Sequence, residues 1–107
     1  MAPVQELAAQ ILALPGVTQA ASRFGSRDRA AWSVLGKEFA HLHADDLLDL
    51  KLPRKIQASL RDDPRAHFRK SASAWLELEF HTSEDVHRLI ALVREAWTSV
   101  RAEKDAA

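Results

Sequence analysis

Apolar positions follow two rhythms along this 107-residue chain. Val4, Leu7, Ala8, Ile11 and Leu12 recur at helical spacing, the stripe of a helix that buries one face. Pro3 suits its first turn and Pro15-Gly16 stops it, so a helix is predicted over Ala2 to Leu14. The period then drops to two. Val17 to Phe24 and Arg29 to Leu35 read as strands joined by turn residues Gly25 to Asp28, with Trp32 and Val34 on one face. Gly36-Lys37 should turn the chain into a third strand, Glu38 to Ala44. Strict alternation would put Phe39, His41 and His43 on one face of it and Glu38, Ala40 and Leu42 on the other.

Asp45-Asp46 breaks that strand, and Leu47 to Leu52 resumes with Leu48, Leu50 and Leu52 on one side and Leu47, Asp49 and Lys51 on the other. Pro53 opens a short helix with Ile56 and Leu60 inside, ended by Asp62-Asp63-Pro64. Ala66 to Lys70 is a short strand or loop carrying His67, and Ser71-Ala72-Ser73 is a turn. Trp75 to Phe80 alternates cleanly, with Leu76, Leu78 and Phe80 toward the core and Trp75, Glu77 and Glu79 away from it. Thr82 with Asp85 caps a last helix whose buried stripe is Val86, Leu89, Ile90, Val93, Trp97 and Val100. The polar tail from Arg101 should fray. Runs of adjacent strands between helices predict a single α+β domain over 1–107, with its core at about 3–100. It would be an antiparallel sheet of about five strands with helices packed on one face.

Formal net charge is zero, which disfavours a nucleic-acid partner. No apolar run reaches the roughly 18 residues of a membrane span, so no membrane partner is expected. The N-terminal apolar stretch lacks a basic flank, which speaks against a secretory leader, and the absence of cysteine fits a reducing compartment. A cytoplasmic protein is the expectation. No P-loop, G-x-S-x-G or dinucleotide fingerprint occurs.

Chemistry concentrates between Gly36 and Pro53. Alternate strand residues His41 and His43 lie roughly 7 Å apart on one face, close enough to converge on one small object. They could hold a metal ion with His67 or Asp45 as third ligand, act as a metal-free acid/base pair, or be surface histidines bonded to neighbours. His81 and His87 look solvent-facing. Arg23, Arg27, Arg29, Lys51, Arg54, Lys55, Arg65, Arg69 and Lys70 read as a solvated charged surface, with a rim for an acidic small molecule as the sharper alternative.

The order Phe24-Gly25-Ser26, Glu38-x-x-His41-x-His43, Asp49-x-x-Leu52-Pro53-Arg54, His67 and Ser73-x-Trp75 resembles the luciferase-domain family over about residues 15 to 98. That family is shared by fungal luciferases and short bacterial proteins. Where it tends to have Ser-Gly-Trp, this chain has Ser73-Ala74-Trp75. The resemblance implies a small-molecule site, in the fungal members an oxygenase on a hydroxylated pyrone with no organic cofactor. On this reading His41, His43 and His67 are catalytic and line one pocket, a histidine taking a proton from an acidic hydroxyl. Trp75, Phe39, Arg54 and Lys51 bind substrate, with Trp75 stacked on the flat ring. No metal or other cofactor is expected, and the expected partners are a small-molecule ligand and a second copy of the chain in a homodimer. The alternative is a non-catalytic ligand-binding or protein-interaction module. Convergence of the three histidines in a concave pocket separates the two readings.

Overall fold

The computed structural model describes residues 2–21, 29–69 and 73–106. Its elements are α1 (Pro3–Leu12), β1 (Val17–Ala21), β2 (Ala30–Val34), β3 (Lys37–Ala44), β4 (Leu47–Lys51), α2 (Arg54–Ser59), β5 (Ala66–His67), β6 (Trp75–Glu79) and α3 (Ser83–Ala106). The turn expected at Gly25 to Asp28, Phe24-Gly25-Ser26 of the family pattern, Arg23, Arg27 and Lys70 to Ala72 lie outside the described residues.

The strands form one antiparallel sheet of six, in the order β1-β2-β3-β4-β6-β5. This is the expected α+β architecture, with the two-residue β5 as the extra edge strand. Leu7 and Ile11 of α1 and Val86, Val93 and Val100 of α3 bury against Trp32, Ala40, Leu50, Leu76 and Leu78 of the sheet. The alternating Leu76, Leu78 and Phe80 are buried as predicted, and Trp75, Glu77 and Glu79 are half-buried on the opposite face. That opposite face is called the open face below.

Local chemistry explains the helix ends. Thr82 Oγ1 accepts from the Asp85 amide, while Asp85 Oδ2 accepts from the His81 and Thr82 amides, a reciprocal cap that satisfies donors the first turn would leave bare. Asp85 is buried and also pairs with Arg65. The tail expected to fray is helical to Ala106. Alanine, glutamate and lysine favour helix there, the Arg101 guanidinium stacks 4.3 Å over the Trp97 ring, and Glu103 meets Lys37 and Lys51. Leu12, placed in the buried stripe by spacing, is 46% exposed at the end of α1.

Two corrections concern β3. The chain turns at Leu35-Gly36 rather than Gly36-Lys37, and both residues have positive φ, 53° and 78°. That is the two-residue hairpin turn whose twist matches its strands. Glycine adopts it freely; an exposed leucine does not. The second correction is to the alternation itself. Trp32 pairs with Ala40 but Ser33 pairs with Glu38, so Phe39 is an extra residue in the ladder. Farther on, Leu42 pairs with Leu48 but Ala44 with Leu47, so His43 is a second extra residue. Each is a β-bulge. The first turns Phe39 into the core beside Ala40, where it is fully buried, and returns Glu38 to the open face. Phe39 is therefore a core residue and not a wall of the candidate site.

Leu78→Ala should destabilise by about 2–5 kcal/mol and Phe39→Ala by about 3–5 kcal/mol in urea unfolding. Glu79→Ala should stay near 0.5 kcal/mol, as surface changes do. Leu35→Asn should stabilise by roughly 1 kcal/mol by removing the left-handed penalty. A Phe39→Ala protein of wild-type stability would return that ring to the surface.

Candidate functional site

The register across the sheet builds one continuous row on the open face. Ala31 of β2 lies opposite His41 of β3, His41 opposite Asp49 of β4, Asp49 opposite Glu77 of β6, and Glu77 opposite His67 of β5. Cross-strand partners share a face, so four ionisable side chains stand side by side. Trp75 sits two residues along from Glu77, opposite Lys51.

His41 is the centre of the row. Its Nδ1 lies 3.0 Å from Glu38 Oε2 and its Nε2 2.8 Å from Asp49 Oδ2. A carboxylate at each ring nitrogen suits imidazolium, which carries an N–H at both. Without the bulge at Phe39, Glu38 would point through the sheet and the first contact could not form. The Trp75 ring lies 4.8 Å from that of His41, tilted by 48°. His41 is 7% exposed and Asp49 only 1%, although both lie on the face turned away from α1 and α3. Burial opposes the ring's charge, but Asp49 by hydrogen bonding and charge, joined by Glu38, outweighs it and holds His41 above the ordinary histidine value. His41 is thus a buried ring held between two carboxylates that favour its protonated form, unlike the exposed pocket histidine that alternation suggested.

The second bulge aims His43. Its ring is half-exposed, with Nδ1 3.8 Å from Asp49 Oδ2. Arg69 places a guanidinium nitrogen 3.6 Å from the same oxygen. One donor atom each from His43, Asp49 and Glu77 lie within 4.8 Å of one another, a geometry able to gather a cation. His41, His43 and Trp75 are therefore brought together. His67 is not: it is three strands from His41, roughly 14 Å at about 4.8 Å per strand. It pairs instead with Glu79, Nε2 to Oε2 at 2.8 Å, and this contact, with His81 nearby, lowers the Glu79 carboxyl below its usual range. The row lies along the sheet and does not wrap His41, His43 and His67 around one pocket.

The Lys51 amino group and Arg54 stand elsewhere, although Lys51 pairs with Trp75 in the ladder. Lys51 Nζ reaches Glu103 at 3.4 Å, and both residues border a shallow cleft between the start of α2 and the C-terminal part of α3. Arg29 pairs with Asp45 and Arg65 with Asp85. Of the described arginines expected at a rim, Arg69 is the one that turns to the row. Ser73 Oγ accepts the Trp75 amide and the Ser73 carbonyl accepts from Gln57 Nε2, fixing the entry to β6. Ala74 has no positive φ, so alanine in place of the family's glycine brings no backbone strain. Sequence reasoning missed Glu38, assigned to the wrong face, and the partnership of Asp49 with Glu77. The available signal for Asp49 was an acid set within the leucine run of β4.

A histidine whose folded pKa is raised contributes stability in full below its ordinary value, about pH 6.5, and loses it as pH rises through the folded value. In chelator-treated buffer, His41→Gln should be less stable than wild type by about 3 kcal/mol at the acid end of that range. The gap should narrow as pH rises. A gap that widened toward alkaline pH would mean that His41 is buried as the neutral ring.

A family model described as "Luciferase domain" matches residues 36–96. No curated protein and no solved structure matches the chain. The matched segment opens at Gly36 in the β2–β3 turn and runs well into α3, so it contains both bulges, the ionisable row and Trp75. It covers more than half of the chain, and the protein belongs to the luciferase-domain family.

Proposed function

We propose that the open face of the sheet is a small-molecule site for a flat, hydroxylated aromatic or pyrone, taken as its anion. One observation carries this reading: a buried imidazole, clamped by Glu38 and Asp49, lies against the Trp75 ring beside the half-exposed His43. Trp75 offers a stacking surface. His41 offers a fixed positive charge for the oxygen that becomes anionic, supplied without reorganisation. His43 is the histidine placed to accept the hydroxyl proton, its ring oriented by Asp49.

Family membership supports an oxygenase as the finer reading. Deprotonation of an enolic hydroxyl by His43 leaves an electron-rich carbanion. Its carbon gives an electron pair to dioxygen, forming a C–O bond and reducing the oxygen to a peroxide. The proton held by His43 then completes a hydroperoxide. A second reading, a non-catalytic ligand-binding or interaction module, is favoured by the spread of the histidines along the row, with His67 at its far end.

Titration with 4-hydroxy-2-pyrones should quench tryptophan fluorescence, and Trp75→Phe should lose most of that response while Trp97→Phe keeps it. Oxygen uptake by the pyrone-loaded protein should fall at least about 100-fold in His43→Ala, the usual contribution of a positioned acid or base. Quenching without oxygen uptake would select the binding module, and no quenching at all would sink the small-molecule site.

A further inference from the structure

Asp49 and Glu77 face each other directly across β4 and β6. Like charges in that position repel, and the repulsion grows with burial. Asp49 is all but completely buried, and its Oδ1 meets no hydrogen-bond donor among the described residues. His41 and Arg69 stand near Oδ2 as charges, at 2.8 and 3.6 Å. Glu77 is half-buried and has no ion pair among the described residues. A buried carboxylate oxygen is rarely left unmatched, because its desolvation goes uncompensated. The arrangement has an opening for positive charge between the two acids, and the bulge in β3 turns an imidazole toward the same opening.

We propose that His43, Asp49 and Glu77 form a three-ligand site for a divalent first-row transition-metal ion. One imidazole nitrogen and two carboxylates are the donor types that manganese, iron, cobalt and zinc accept. The donor atoms, within 4.8 Å of one another, need to close to about 3–3.5 Å around an ion bound at about 2.1 Å. That movement falls to His43 and Glu77, which are exposed and half-buried, while Asp49 is held in place. His41 then plays the part usual for a group behind a ligating carboxylate, fixing Asp49 by its Nε2 contact. The dication gives Glu77 a positive partner, as His41 and Arg69 already give Asp49. Three protein ligands leave coordination positions for a hydroxyl oxygen.

The site shares its face with the proposed small-molecule site and rests on that reading in one respect. With the ion bound, His43 is a ligand, and the ion acidifies the substrate hydroxyl in its place, as a bound cation does for water. Metal binding itself requires no substrate, so it is tested alone.

Cobalt(II) is the probe. Titrated into chelator-stripped protein, it should give a saturable visible absorption at one equivalent per chain and raise the thermal midpoint, since an ion bound by the native state stabilises it. His43→Ala and Glu77→Gln should each weaken binding at least tenfold. Both sites are accessible enough for the variants to fold, which circular dichroism checks. His67→Ala and His81→Ala should bind as wild type does. The proposal is overturned if no saturation occurs below about 1 mM cobalt, a weak-binding ceiling, or if Glu77→Gln and His43→Ala bind unchanged. Glu77→Gln also separates the two readings. Pyrone quenching that survives in a variant without cobalt binding leaves the small-molecule site standing and confines Glu77 to the metal. Cobalt binding without any quenching leaves the ion and removes the substrate.

Discussion

A carboxylate with 1% of its surface exposed, on the sheet face turned away from α1 and α3, has to be answered by positive charge. The contact between Asp49 and His41 is that answer, and much of the structure serves it. Leu48 and Leu50 on either side of Asp49 anchor β4 in the core, so the acid cannot swing away. The bulge at Phe39 brings Glu38 to the second ring nitrogen, which makes the doubly protonated ring the favoured form. Trp75 packs against that ring, and its own position is set by the Ser73 and Gln57 contacts at the start of β6. Removing His41 would leave a buried carboxylate without its nearest cationic partner, which is more damaging than never having had the pair.

The helical layer was legible because its rules are local. Apolar residues at helical spacing, Pro3, Pro15-Gly16 and the Thr82–Asp85 cap sufficed to place α1 and α3. β6 was equally readable, since Leu76, Leu78 and Phe80 alternate without interruption. β3 was not. Its sequence, Lys-Glu-Phe-Ala-His-Leu-His-Ala, fits strict alternation well, and nothing in it announces an extra residue. What decides is tertiary: Phe39 and Ala40 both gain by facing the core, and one step of irregular pairing lets both do so. The site inherited that error. His41, His43 and Trp75 were named, but Glu38 went to the wrong side and Phe39 into the site.

The family match takes in both bulges and the row, from Gly36 in the hairpin turn to Ala96 within α3. Glu38-x-x-His41-x-His43 now has a physical meaning. In a regular strand a three-residue spacing puts two side chains on opposite faces, and here it puts them in contact. His67 and Trp75 belong to the same pattern but to different places on the sheet, one at the edge strand and one against the His41 ring.

The two bulges also carry an arithmetic consequence. Each shifts the strand by half a pleat, and two such shifts cancel. Glu38, His41 and Ala44 all lie on the open face although their numbers alternate between even and odd. β3 thus enters and leaves the sheet in step with its neighbours and is out of step in the five residues between, where the histidines lie. Parity in this strand behaves like a paired set of insertions: deleting Phe39 and His43 together would leave a plain strand with Glu38, His41 and Ala44 still on one face, whereas straightening the pairing with both residues kept would put Glu38 and His41 on opposite faces.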